Sequence, residues 1–497
     1  MRLAMTRHAV VTLVLVLLGS SAPAQVPQEI PAHPDELTFE PIVFEPPSAA
    51  EHRHVLKNGM VVLIAEDKAL PLVNVSLTFR AGSWLDPAGQ EGLASFTGSQ
   101  MRRGGTKSLS AEELDERLDF LATQASSGIG STSGGASLNC LTDNLDESLA
   151  LFVQMLREPR FQEDRLDLAR EQALQAMKKR NDDSGDIEAR EWNVLLNGED
   201  HFTNRFTTEA SLRALTRDDL VAFHRQHVHP GAMIAAVSGS FETGDMLRLL
   251  EEAFADWPGT PVEVPPIPDT IDPVPPGLYR IEKDVNQGRV SIGLPGVMRD
   301  HPDVYALELM VDILGGSGFT SRITTTVRSN EGLAYDARAA MSFGVWYPGR
   351  FRAMFQSKSP TVAWASELVL EEIRKIRDEG VTADELATAQ SSLIETFPSS
   401  FNSKARSMAI FASDEYTGQD PDYWVKYRDR IRAVTAEDVQ RVAREHLLPE
   451  KMIILAVGNQ ADIDKGDETH AVTLEQLAPG GKVTVLPLRD PMTMKMP

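Results

Sequence analysis

A single cysteine stands in 497 residues, so Cys140 cannot close an intrachain disulfide. In the strand-like ASLNCL it reads as a small buried hydrophobe. Past the N-terminus no apolar run approaches the ~20 residues of a spanning helix, which excludes helical membrane insertion. Basic charge is scarce as well. With 49 Lys and Arg against 72 Asp and Glu, the net charge of −23 repels nucleic acid phosphates and anionic membranes, and neither is an expected partner. Two catalytic signatures are also missing. Gly104-Gly105-Thr106-Lys107-Ser108 lacks the glycine spacing of a phosphate-binding loop, and GLASFTGS spaces its residues as G-x-x-S-x-x-G, not as the G-x-S-x-G elbow of hydrolases.

What is present is ordinary globular material, 42% hydrophobic and 24% charged, enough for substantial cores. Arg2 and Arg7 precede the apolar run Ala9–Leu18, and Ala22-Pro23-Ala24 supplies a small-residue cleavage site. That pattern predicts a signal peptide over residues 1–24 and an exported chain, periplasmic in a Gram-negative source. No cysteine follows the apolar run to accept a lipid. Residues 25–49 are proline-rich and read as an extended leader.

Regular structure is expected from about residue 50. HVLKNGMVVLIAED predicts a hairpin around Asn58-Gly59. Ser110 to Glu113 forms a capping box ahead of the run Leu114–Leu121, and Thr216 to Asp219 opens another helix. Between 258 and 277 there are eight prolines, which forbid regular structure and mark a linker between a first domain, 50–257, and a second, 278–465. Residues 466–497 form a tail. The second domain repeats the first: 214–240 aligns on 433–459 without a gap, with nine identities in 27 and a constant offset of 219. A period that long is a duplicated domain, not a solenoid. The expected fold is therefore α/β (α+β), two homologous halves of about 200 residues, each a sheet flanked by helices, hinged by proline.

His224, His227 and His229 invite a metal reading, since histidines at short spacing are common ligands. Yet no glutamate stands as in H-E-x-x-H, and the matching positions of the second half are Ala443, His446 and Leu448. His227 and His446 are expected to be structural side chains near helix ends.

The frame around Gly92–Thr106 is more specific. The run VNVSLTFR, then Ala81-Gly82-Ser83, the turn Leu85-Asp86-Pro87, and Glu91-Gly92-Leu93-Ala94 together resemble the lead-in to the inverted zinc motif H-x-x-E-H of the insulinase/pitrilysin peptidases. The resemblance spans roughly residues 50–465. In that frame the motif positions are Ser95, Gly98 and Ser99, and the family's third ligand falls near Gln175, Ala176 and Met177, none of them acidic. Glycine offers no ligand atom, and a catalytic zinc usually needs three protein ligands and a nearby base. The resemblance thus implies no metal and no cofactor in this chain.

A second segment, TSRITTTVRSNEGLAYDA, resembles the family's second-half signature, in which an arginine and a tyrosine seven residues apart reach into a partner's zinc cleft. Here they are Arg328 and Tyr335. Such donors would hold substrate carbonyls and stabilise the oxyanion of peptide hydrolysis. Gly315, Gly316 and Gly318 end the preceding helix and are candidates for touching substrate. The implied role is the zinc-less subunit of a heterodimeric peptidase, inactive alone, acting on peptides or unfolded polypeptide beside a zinc-bearing homologue. The alternative is a non-enzymatic scaffold or peptide-binding protein derived from the same family.

Overall fold

In a computed structural model describing residues 33, 37, 43–257 and 264–497, the Asn58-Gly59 turn joins β1 (Arg53–Val55) to β2 (Val61–Glu66) as an antiparallel hairpin. Gly59 takes a φ of +89°, a backbone conformation that favours glycine. The export signal and most of the leader lie outside the described residues.

The apolar alternation of LVNVSLTF produces β3 (Leu72–Phe79), whose Val73, Val75, Leu77 and Phe79 enter the core. With β4 (Gln124–Ile129), β5 (Gly134–Leu141) and β6 (Met233–Gly239) it completes a six-stranded sheet in the order β1-β2-β6-β3-β5-β4. Cys140 faces that core from β5, and burial pushes its thiol up to about 11, so it is chemically quiet.

Five helices of the first half surround the site or bridge the halves: α1 (Leu93–Arg103), α2 (Ala111–Phe120), α3 (Leu145–Arg157), α4 (Glu163–Lys178) and α5 (Ser184–Asn197). The Ser110/Glu113 box caps α2 as expected, and Thr216 with Asp219 caps the helix Arg217–His227.

The second sheet contains β7 (Gly277–Glu282), β8 (Gln287–Pro295), β9 (Ala334–Ser342), β10 (Arg350–Lys358), β11 (Ile453–Gly458) and β12 (Val483–Val485), in the order β12-β7-β11-β8-β10-β9. Apart from the edge strands, where β1 is antiparallel to β2 but β12 is parallel to β7, its pairings repeat those of the first. β2 runs parallel to β6, and β7 runs parallel to β11; every later neighbour in each series is antiparallel. The duplication read from the 219-residue offset is therefore a duplication of sheet topology.

Within the compact unit Pro46–Pro497 each half lends a helix to the other. Ile187, Trp192, Leu195 and Leu196 of α5 pack on Tyr279, Ile281, Ile453, Leu455 and Val457 of the second sheet. The helix Lys404–Thr417, within one residue of the duplicated position of α5, packs Met408, Phe411 and Ala412 on Leu63, Ala65 and Ala236 of the first. Fully burying one large apolar side chain is worth roughly 1.5–3 kcal/mol, so parting the halves would expose both stripes at substantial cost. The C-terminal segment adds a strap. After β12 it carries Arg489, 2% exposed, to Glu191 of α5 and to Glu199.

Candidate functional site

Helix α1 is held at its N-terminus by Asp86, from the acidic turn. Its carboxylate accepts from the backbone N–H of Gly92 at 2.9 Å and of Ala94 at 2.8 Å. Burial pushes Asp86 up to about 6, opposed by those two N–H groups and by Arg205. Gly92 precedes the helix with φ +106°.

The three motif positions follow. Ser95 is exposed, and Ser99 is half-buried, its hydroxyl donating to Phe96 O at 3.1 Å. Gly98 is buried against β4. A Cβ added there would lie 2.2 Å from the backbone N of Ile129 and 2.6 Å from the carbonyl carbon of Gly128, and Ser127 Oγ donates to the Gly98 carbonyl at 2.6 Å. No side chain fits at Gly98 without a backbone shift. The second half makes the same contact: a Cβ on Gly315 would lie 2.2 Å from the backbone N of Ala339 on β9. Both central helices are thus packed glycine-to-strand.

Across the groove, the third-ligand positions expected on α4 hold no carboxylate. Gln175 and Ala176 are exposed and Met177 enters the core, while Gln172 lines the cavity of about 530 Å³ that Ser99 and Gln100 border. Gln100 and Thr97 are buried on α1 with side-chain polar atoms that have no hydrogen-bond partner, a feature the sequence did not flag. Arg102, Arg103, Arg165 and Asp115 supply the charge of that cavity. The residues present do not fit a catalytic zinc.

Among the described residues, the only three-membered group with metal-ligating geometry is His301, Asp303 and His446, which sequence reading missed. Asp303 already receives Arg441 at 2.7 and 3.2 Å, which supplies its counter-charge. His224, His227 and His229 do not converge. His224 Nε2 lies 2.6 Å from Leu156 O, and His227 packs against Phe223, 4.6 Å between ring centroids.

Burial holds His224 down to about 4, below the ordinary histidine value of ~6.5. The unfolded chain therefore takes up this proton first as pH falls. Stability is whole above pH ~6.5 and drains toward pH 4, with a slope of up to about 1.4 kcal/mol per pH unit. His224→Gln keeps an N–H donor for Leu156 O without a titrating ring. Urea unfolding at pH 7 and pH 5 should show a smaller acid loss in this variant than in the parent protein. Asp86 titrates in the opposite sense in both proteins, so the difference between them isolates His224. Equal losses would contradict the assignment.

Arg328 and Tyr335 are brought together. Arg328 lies in a seven-residue π-helical stretch, Thr324–Asn330, a form often found at functional sites. Gly332, at φ +63°, turns the chain into β9. The guanidinium of Arg328 is sandwiched between Phe319, 4.4 Å to the ring centroid, and Tyr335, 4.5 Å. Both rings are open to solvent, Phe319 69% and Tyr335 83% exposed, and neither is spent on the core. Phe319 escaped the sequence reading, though an aromatic directly after a glycine run was its signal. Gly315, Gly316 and Gly318 line a cavity of about 610 Å³ with Phe319, Arg328 and Asp312. Burial raises Asp312 to about 6. Tyr335 borders a neighbouring cavity of about 400 Å³ with Glu188, Arg289, Arg338 and Lys358. None of these residues lines the cavity beside α1.

Comparison with known proteins agrees with this layout. Residues 61–192 match the family described as Insulinase (Peptidase family M16), and residues 214–393 match the Peptidase M16 inactive domain. The chain belongs to the insulinase family. Within it, this chain is 25% identical over 356 residues to a protein named non-peptidase homolog YmxG of Helicobacter pylori, covering 71% of this chain and 81% of that one. An uncharacterized zinc protease of Mycobacterium tuberculosis is 24% identical over 422 residues, covering 81% and 92%. The fold is shared with a solved Peptidase M16 inactive domain from Pseudomonas fluorescens, at TM-score 0.73 and 24% identity, covering 82% of this chain and 97% of that one. A protease from Helicobacter pylori gives TM-score 0.70 at 20% identity, covering 82% and 98%.

Proposed function

We propose that this insulinase-family chain is the zinc-less subunit of a heterodimeric peptidase, contributing Arg328 and Tyr335 to a site completed by a zinc-bearing homologue. The observation that carries this reading is the pairing of opposites within one chain. At α1 the base position is sealed by backbone, whereas on the second half a half-buried guanidinium stacks on an exposed phenol ring beside an open cavity. Aromatic and arginine side chains of this kind are the usual anchors of a binding surface. The expected substrate is a peptide or unfolded segment, and the expected compartment is the periplasm, given the predicted signal peptide.

Co-expression with an exported homologue that retains H-x-x-E-H, then sizing chromatography, tests the partnership. A one-to-one complex is expected, and a chain that stays monomeric beside that homologue would count against it. The naming of the Helicobacter relative as a non-peptidase homolog supports a second reading, a scaffold or peptide-binding protein. In that case the complex would form while Tyr335 remained dispensable for turnover.

A further inference from the structure

We infer that the seam between the two halves holds a binding site for a carboxylate carried on a flat apolar group, with Arg350 and Arg80 as its cationic contacts. A cavity of about 510 Å³ lies there, within the usual range for small-ligand sites. Ser76 and Thr78 of β3 line it, and Arg80, just past the strand's end, lies beside the lining. The Arg80 guanidinium lies over Trp346, a wall residue, 5.6 Å from the ring centroid.

The walls are aromatic and fixed in place. Tyr347 packs edge-on against His201 at 4.8 Å and Phe202 at 5.8 Å, and Trp346 meets Tyr416 edge-on at 6.0 Å. Tyr416 in turn donates its hydroxyl to Thr132 O at 2.6 Å. A planar group entering the cavity therefore meets a preformed surface and orders little on binding.

Charge decides the other half of the ligand. Arg350 lines the cavity, and its guanidinium donates to a neutral side-chain acceptor, Asn193 Oδ1, at 3.2 Å. Burial lowers its pKa. Arg80 Nε is buried with no hydrogen-bond partner. Among the described residues neither guanidinium pairs with a carboxylate, although acids outnumber bases 72 to 49 in the chain. Desolvated guanidinium groups without an acid are costly, and an anionic ligand would offset that cost.

Two sources carry this chemistry, a free aryl acid and the C-terminus of a peptide ending in an aromatic residue. Isothermal titration of the full chain with N-acetyl-L-phenylalanine and with its C-terminal amide separates charge from shape. The acid is expected to bind about tenfold or more tighter than the amide, the scale of one charge-assisted contact. Tri-alanyl-phenylalanine binding more tightly than the acid would identify the peptide terminus, and equal affinity would identify the small acid. Arg350→Gln should cut acid binding to the level of the amide, with its melting temperature compared to the parent's. Equal affinities for acid and amide on the unmodified chain, or no binding of either, would overturn the assignment whatever the variants do.

Discussion

Gly98→Ala is expected to destabilise the chain by about 3 kcal/mol, the upper end of what overpacking a close-packed site costs. The added Cβ would stand 2.2 Å from the Ile129 nitrogen, and the obstacle is backbone, which cannot rotate aside. Either α1 lifts away from β4 or the strand shifts, and both break the bond from Ser127 Oγ to the Gly98 carbonyl. Ser95→His, on the exposed side of the same helix, should change stability by no more than about 0.5 kcal/mol. The pair separates a packing effect from a general dislike of change in α1. Rebuilding the motif with Ser95→His, Gly98→Glu and Ser99→His should therefore not yield a zinc site, since the glutamate has no space and the expected third-ligand positions on α4 are Gln175, Ala176 and Met177. Denaturant unfolding of the single variants and metal analysis of the triple variant are the measurements. A Gly98→Ala protein with parental stability would show that β4 yields easily and that packing does not seal the base position.

Tyr335→Phe should leave fold and assembly intact while lowering turnover of the reconstituted pair by about 10²–10³, the usual loss when one oxyanion donor is removed. The ring stays, so the stack on Arg328 persists, and at 83% exposure the hydroxyl supports no core. Arg328→Ala is expected to behave differently. It empties the middle of the Phe319–Arg328–Tyr335 sandwich, worth roughly 0.5–1 kcal/mol per exposed cation–π contact, and should raise KM as well as lower kcat. Steady-state kinetics of both variants, with complex formation checked for each, distinguishes the roles. Full turnover in an assembled Tyr335→Phe complex would make the pair structural and move the scaffold reading ahead.

Local chemistry was legible in the sequence wherever a residue determines its own neighbourhood. Asn58-Gly59 specifies its turn, Ser110/Glu113 and Thr216/Asp219 their caps, and the apolar alternation of β3 its buried face. The offset of 219 carried the topology of one sheet over to the other. What stayed hidden was the identity of the neighbours. An apolar stripe on α5 announces burial, yet nothing local says that the covering surface belongs to the other half. The sequence shows that Ser95, Gly98 and Ser99 offer no histidine or carboxylate, but not that Gly98 is pressed on the strand, because that contact joins residues 30 positions apart. Arg489 shows the same limit: its ion pairs with Glu191 and Glu199 span nearly 300 residues, and a short polar tail gives no sign of them.

The central claim is that this chain lacks a catalytic zinc site and completes one in a partner. It is tested most directly by measuring zinc content and peptidase activity in three preparations: this chain alone, the zinc-bearing homologue alone, and the two mixed one to one. The expected result is one zinc in the homologue, none retained by this chain after mild chelation, and peptide cleavage only in the mixture. One zinc per chain with unassisted cleavage by this protein, or a homologue as active alone as in the mixture, would contradict it.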